Sequence, residues 1–160
     1  MIFVTVGTIM PFDRLIRGMD EAVGAGVITE PVFAQTGKTD FVPKHIEHSA
    51  FIQKSVFDEK VAQSRFIVGH AGIGTIIAAM ENNKPSLVMP RMRCYHEHVN
   101  DHQVATARKF GDLGHVLVAY EVEELPQKLR ELSSFVPTPR VCQPHEVAGR
   151  IIQFIDQMSK

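Results

Sequence analysis

The stretch Phe66-Ile67-Val68-Gly69-His70-Ala71-Gly72-Ile73-Gly74-Thr75 decides how the rest of the chain is read. Phe66–Val68 is a short run of apolar, β-favouring residues, the mark of a strand covered on both faces. Gly72-Ile73-Gly74-Thr75 is a turn that opens a helix running through Met80, and Asn82-Asn83-Lys84-Pro85 stops that helix. Ser86–Met89 then repeats the strand pattern. Two strands joined through a helix by short loops form a βαβ unit, which places the strands parallel with a right-handed crossover.

The same alternation extends in both directions. Upstream, Ile2–Val6 is a strand that stops at Gly7-Thr8. Leu15, Ile16, Met19 and Val23 have helical spacing after Pro11-Phe12, with Gly24 and Gly26 closing the helix. Pro31–Gln35 is a second strand, a further short one is expected near Phe51-Ile52, and Phe57–Gln63 reads as a brief helix. Downstream, a polar loop over Pro90–Asn100 leads into a helix to about Phe110, then a strand at His115–Val118 and a helix at Val122–Leu132. Pro137 and Pro139 break the chain before a last helix over His145–Met158, whose stripe of Val147, Ile151, Ile152 and Ile155 reads as core packing. The expected fold is α/β, a Rossmann-like parallel sheet with helices on both faces. Such sheets bind ligands beyond the carboxyl ends of their strands. Gly7-Thr8, Thr36-Gly37, Gly69–Thr75 and Pro90–Gln103 should therefore meet at one crevice.

Bulk composition narrows the partners. The chain has 160 residues, 44% of them hydrophobic, enough for one good core and a single domain over 1–160. A formal net charge of -1 gives no electrostatic reason to expect nucleic acid as a partner. Two cysteines, Cys94 and Cys142, are no disulfide framework and suit a reducing compartment. No run reaches the roughly 18 apolar residues of a membrane span, and no signal-peptide pattern opens the chain, so a cytoplasmic location is expected.

Three motifs carry chemistry, and each has a plainer reading. The Gly69–Thr75 turn brings backbone close to a ligand, and the free N–H groups at the following helix start suit a diphosphate; a turn that simply needs glycine is the alternative. The G-x-G-x-x-G dinucleotide spacing is absent. Gln35-Thr36-Gly37-Lys38-Thr39 ends like a P-loop, but Val32 stands where that motif needs its first glycine. His96, His98 and His102, with Glu97 and Asp101, form the densest polar cluster. It could hold a metal, cap a helix through Asn100, or read sugar hydroxyls through paired hydrogen bonds. Arg91 and Arg93 follow a strand on the binding edge, where they face a diphosphate, a sugar carboxylate or solvent.

In combination these segments resemble the C-terminal domain of family 28 glycosyltransferases. The resemblance is carried by Met-Ile-Phe-Val-Thr-Val-Gly-Thr at the start, Phe-Ala-Gln-Thr-Gly at 33–37, Gly-His-Ala-Gly-Ile-Gly-Thr at 69–75, Val-Met-Pro-Arg at 88–91 and Asn-Asp-His-Gln at 100–103. The chain is most similar to the short stand-alone members, the PssE-like subunits of exopolysaccharide synthesis and the catalytic subunit of the eukaryotic enzyme that extends dolichol-diphosphate-GlcNAc. The resemblance implies the donor-binding half of a GT-B fold and a UDP-sugar as donor. Gly7, Thr8, Gly72, Ile73, Gly74 and Thr75 would hold the donor diphosphate, and Arg91, Asn100, Asp101 and Gln103 the donor sugar. His70 is the one local candidate for the catalytic base. No cofactor or metal is implied.

Also implied are inversion at the anomeric carbon, a lipid-diphosphate-linked saccharide as acceptor, and a membrane-anchored PssD-like partner that supplies the acceptor half. That partner would hold the chain peripherally at the cytoplasmic face of the membrane. A nucleotide-sugar-binding regulator without catalysis is the alternative. One departure stands out: relatives of the MurG type carry a ribose-binding glutamate seven residues before the proline, and here that position is Ala78.

Overall fold

The computed structural model describes residues 1–139. Strands β1 (Ile2–Thr5), β2 (Val32–Gln35), β3 (Glu47–Ser49), β4 (Phe66–His70), β5 (Ser86–Met89) and β6 (Leu117–Val118) alternate with helices α1 (Asp13–Gly24), α2 (Lys54–Gln63), α3 (Ile73–Glu81), α4 (His102–Asp112) and α5 (Leu125–Leu132). The six strands form one sheet in the order β3-β2-β1-β4-β5-β6, and every pairing is parallel.

The alternation of side chains along a strand divides the core between the two faces. Val4 and Val6 of the first strand and its extension pack with Phe12, Leu15, Ile16 and Met19 of the α1 region and with Leu125, Leu129 and Leu132 of α5. Phe3, on the opposite face, packs with Phe33, Ile67, Val61 of α2 and Ala79 of α3. Ile76 of α3, Val88 and Ala107 of α4 continue that second layer towards β6. The expected Rossmann-like sheet with helices on both faces is what the chain adopts. Among the described residues no helix is long and apolar enough to cross a membrane.

Element placement departs from the sequence reading in the polar middle of the chain. The strand expected near Phe51-Ile52 lies at Glu47–Ser49, paired in register Phe33↔Glu47 to Gln35↔Ser49. It is an edge strand, so backbone pairing with β2 defines it and apolar side chains do not mark it; Phe51 is an exposed loop residue. The last strand shortens to Leu117–Val118, and a 3-10 turn at Val122–Glu124 precedes α5. The helix expected over His145–Met158 lies outside the described residues.

Candidate functional site

Strand order reverses between β1 and β4. From β1 the chain builds outward through β2 and β3, and from β4 through β5 and β6. Connections after the two adjacent strands leave on opposite faces, so a crevice opens beyond their carboxyl ends. Two cavities occupy that place. One, of about 450 Å³, is lined by Thr5, Gly7, Thr8, Gln35, Ile52, Lys54, Phe57, His70, Gly74 and Thr75. The other, of about 290 Å³, lies against Val6–Met10, His70, Arg91, His98 and Gln103. A larger depression of about 540 Å³ lies beside Pro11, Lys38, Asp40 and Tyr95, and includes neither His70 nor the glycine turn.

His70, at the end of β4, borders both crevice cavities. Its ring is packed between Gly7 and Gly72: a Cβ at Gly72 would stand 2.2 Å from His70 Nε2, and one at Gly7 3.2 Å from Cε1. Gly7 also has φ +75, a conformation that L side chains rarely adopt. Nδ1 lies 3.5 Å from the Thr5 carbonyl and 3.4 Å from Thr75 Oγ1. The carbonyl can only accept, so it selects the tautomer with hydrogen on Nδ1 and leaves the Nε2 lone pair beside Gly72. Burial, and then the charge of Arg91, push the imidazole down to about 4, against the opposing effect of the Thr5 carbonyl. His70 is therefore neutral at physiological pH. A general base works best with a pKa near the operating pH, and in the unliganded chain His70 is well below it.

The glycine turn opens α3 with Gly72 as N-cap and no side chain capping the helix. The Thr75 N–H returns to the Gly72 carbonyl (3.1 Å), as does that of Ile76 (3.2 Å). The N–H groups available to an anion are thus those of Ile73 and Gly74, ahead of Thr75. Thr75 itself is buried and contributes through its hydroxyl beside His70.

Arg91 was expected at a donor sugar. Instead it is 3% exposed and grips the loop after β1, donating from Nη2 to the carbonyls of Val6 (2.6 Å) and Met10 (2.6 Å) and from Nε to that of Pro11 (3.1 Å). Burial lowers the guanidinium to about 10, and the Glu97 charge works against that shift. Gln103 is also buried, and its Oε1 accepts the Arg91 N–H (3.1 Å), so its amide N–H groups are what a ligand could use.

Asn100 and Asp101 are exposed and serve the backbone. Asn100 Oδ1 accepts from His102 N–H (3.2 Å), and Asp101 Oδ1 from Arg93 N–H (2.8 Å). Asn100 is not the N-cap expected of it: Asp101 holds that position, with no side-chain cap, and Asn100 instead closes a turn onto the first helical N–H. Neither lines a crevice cavity, because the loop turns them outward while His98 turns in. The His98 ring meets His102 edge-on at 4.5 Å, and its Nδ1 is enclosed with no hydrogen-bond partner among the described residues. Partial burial, then the His102 and Arg91 charges, keep His98 below its ordinary pKa. Among the described residues no three His, Cys, Asp or Glu side chains gather as a metal site would need.

Arg14 and Gln35 help build the site without having been site candidates, and Glu97, a member of the polar cluster seen in the sequence, turns out to hold structure. Glu97 is buried and forms a two-point ion pair with Arg14 (2.8 and 2.9 Å), while also accepting the Met92 N–H (3.1 Å). Arg14 reaches further to the carbonyls of Tyr120 (2.9 Å) and Pro90 (3.0 Å), tying α1 to the loop after β5. Gln35 accepts from Thr5 Oγ1 (2.7 Å) and donates to the Gly7 carbonyl (2.8 Å). Its signal was available: an amide at the end of an apolar strand has to find partners there.

Comparison with known proteins agrees with this fold. A family model, the glycosyltransferase family 28 C-terminal domain, matches residues 1–143. The fold is similar to the solution structure of ALG13 (TM-score 0.60, 18% identity, 94% of this chain and 93% of that one). It is also similar to MurG of Acinetobacter baumannii (0.59, 19%, 82% and 40%) and to the glycosyltransferase VinC in complex with DTDP (0.53, 22%, 82% and 32%). The chain spans about a third of the length of several of these glycosyltransferases, 34% of the forosaminyltransferase SpnP among them. Among curated proteins no sequence matches it.

Proposed function

The chain belongs to the family of glycosyltransferase family 28 C-terminal domains, and from that premise we propose that it is the donor-binding subunit of an inverting UDP-sugar transferase. Its acceptor is a lipid-diphosphate-linked saccharide of polysaccharide synthesis, and it acts with a partner chain carrying the acceptor half. The observation that carries this reading is the crevice at the strand reversal, where an uncapped helix start, two glycines and a neutral histidine meet. Such a place suits a diphosphate, because unpaired N–H groups and the helix dipole attract it without side-chain charge.

In this reading the donor diphosphate lies at the N–H groups of Ile73 and Gly74, with Gly7 and Thr8 on its other side. Ile52 and Phe57 give the 450 Å³ cavity an apolar wall suited to the flat face of a base. The sugar extends towards the 290 Å³ cavity, to the Gln103 amide and the His98 ring. An acceptor hydroxyl, deprotonated by a base on the partner, attacks the anomeric carbon as UDP leaves. The same N–H groups that bind the diphosphate stabilise the charge it gains, without a metal. His70 is better suited to the leaving group than to the base role, because an adjacent anion raises its pKa towards protonation.

The partner is supported by the binding edge itself. Ile9, Val99 and Ile73 are 83%, 77% and 53% exposed on the loops after β1, β5 and β4. Exposed apolar side chains at this edge are the kind of surface that a partner chain would cover. Through such a membrane-anchored partner the chain would work at the cytoplasmic face.

Calorimetry of the purified chain with UDP, with and without EDTA, tests the donor site: we expect binding that EDTA leaves unchanged. No heat at millimolar UDP refutes the reading. Co-expression with a membrane-anchored partner, assayed on a lipid-diphosphate saccharide, separates transfer from a purely regulatory binding role.

A further inference from the structure

A buried guanidinium ordinarily has a carboxylate against it, because an unpaired charge away from water is expensive. Arg91 has none: it takes part in no ion pair among the described residues, and its nearest acid, Glu97, is paired with Arg14. Its engaged nitrogens meet only carbonyl oxygens, those of Val6, Met10 and Pro11. Carbonyl dipoles solvate the cation without neutralising it. The charge lies on the wall of the 290 Å³ cavity, which His70, His98 and Gln103 share and which no acidic side chain lines.

The three carbonyls also fix the shape of the loop. In a trans peptide the N–H lies opposite the carbonyl. With the Val6 carbonyl turned to Arg91, the Gly7 N–H is turned away, towards Thr5 Oγ1 at 3.5 Å, on the 450 Å³ side. The Arg91 N–H holds Gln103 at the same time. One residue thus joins the loop after β1, the end of β5 and the start of α4.

We propose that Arg91 is the positioning residue of the donor site, shaping the Gly7-Thr8 loop through its carbonyls and providing the uncompensated positive charge that a bound diphosphate neutralises across the loop. This rests on the donor-site reading above. Arg91 acts through the loop and the field, without contact with the ligand. Two parts follow, and two variants separate them. Arg91→Lys keeps the charge but cannot span three carbonyls. Arg91→Met removes both.

The experiment is calorimetry with UDP on both variants at low and high salt, with the His70 ring titrated by NMR and amide exchange followed over residues 7–10. Arg91→Met should weaken UDP binding by about tenfold or more, roughly the worth of one charge-assisted interaction. It should also flatten the salt dependence and move the His70 titration upward, because the charge that opposes imidazole protonation is gone. Arg91→Lys should recover part of the affinity, keep the His70 titration near wild type and speed exchange in the loop. A purely structural role would lower thermal stability without moving the His70 titration or the salt dependence. Arg91→Met that stays folded and binds UDP within about twofold of wild type overturns the proposal. So does Arg91→Lys with no advantage over Met. Should Arg91→Met not fold, Arg91→Lys decides alone, and wild-type exchange over residues 7–10 with wild-type affinity overturns the proposal. If the wild-type chain fails to bind UDP, the donor-site reading falls. His70 titration and loop exchange in Arg91→Lys then still decide the positioning role.

Discussion

Replacing Gly74 by alanine should raise stability and lower affinity at once. Gly74 is exposed at the second position of α3, and a Cβ there meets nothing within 4 Å. The fold can therefore take the methyl, and the helix gains up to about 1 kcal/mol from the better helix former. For a chain of this size that raises Tm by about 2–4 °C. The same methyl lies beside the 450 Å³ cavity that Gly74 lines. A phosphate oxygen bonded to a backbone N–H comes within about 2.9 Å of the nitrogen, whereas a carbon surface holds neighbours at about 3.5–4.0 Å. Losing one bond to a charged oxygen costs about 1.5–3 kcal/mol, or roughly ten- to a hundredfold in UDP affinity. Thermal melts and calorimetry on one preparation read both signs. The control is Gly72→Ala, whose Cβ would meet His70 Nε2 at 2.2 Å and must displace the ring; it should lose stability and binding together. A Gly74→Ala protein that melts higher yet binds UDP like wild type would refute the diphosphate assignment of this turn.

Three further outcomes are expected. Glu97→Ala takes the two-point carboxylate from Arg14, leaving only the longer contact to Glu121 (3.7 Å), and leaves the Met92 N–H without an acceptor; it should cost roughly 1–3 kcal/mol in a urea melt. Ser86→Ala removes a buried hydroxyl that has no hydrogen-bond partner among the described residues and should stabilise the chain by about 1 kcal/mol in the same assay. His70 is held at about 4 in the folded chain against an ordinary 6.5, so between these values the unfolded chain binds more protons. Stability is then complete above pH 6.5 and falls, by up to on the order of 3 kcal/mol, as pH drops towards 4. Melts from pH 7.5 to 4 should show a decline that a folded His70→Gln variant largely lacks. Because an anion raises the His70 pKa, UDP affinity should increase over the same acid range.

The sheet was legible because its strands are buried on both faces. Ile2–Val6, Phe66–Val68 and Ser86–Met89 are apolar runs with no second explanation, and the turns between them fall where glycine and proline stand. Edge strand β3 was displaced in the reading because Glu47-His48-Ser49 is polar and held by backbone pairing, which leaves no side-chain pattern. Among site candidates, the glycine turn and His70 lie together on the crevice, as their place between strand and helix led one to expect. Asn100, Asp101 and Arg91 were placed at the ligand because polar side chains on a binding edge have two uses that look alike in sequence. Whether such a group meets a ligand or a carbonyl depends on how the loop after β5 folds. That in turn depends on Arg14 and Glu97, which are 83 residues apart.

This division of labour has a consequence for how the site recognises anything. Arg91 holds three carbonyls, Gln35 two, Asn100 and Asp101 an N–H each, and Glu97 an arginine and an N–H. Nearly every polar side chain that makes the sequence distinctive is therefore engaged in holding main chain. What remains for a ligand is backbone N–H at Ile73 and Gly74, the Gln103 amide and the imidazoles of His70 and His98. Backbone donors suit a diphosphate, whose oxygens are alike, and they discriminate poorly between sugars. On the proposed function, sugar choice falls to Gln103 and His98, the latter in no hydrogen bond among the described residues, and to whatever the proposed partner adds across the crevice. On this argument His98→Gln should alter the preference among UDP-sugars while leaving the affinity for UDP itself within about twofold. Equal losses for UDP and for every UDP-sugar would place the ring at the diphosphate instead.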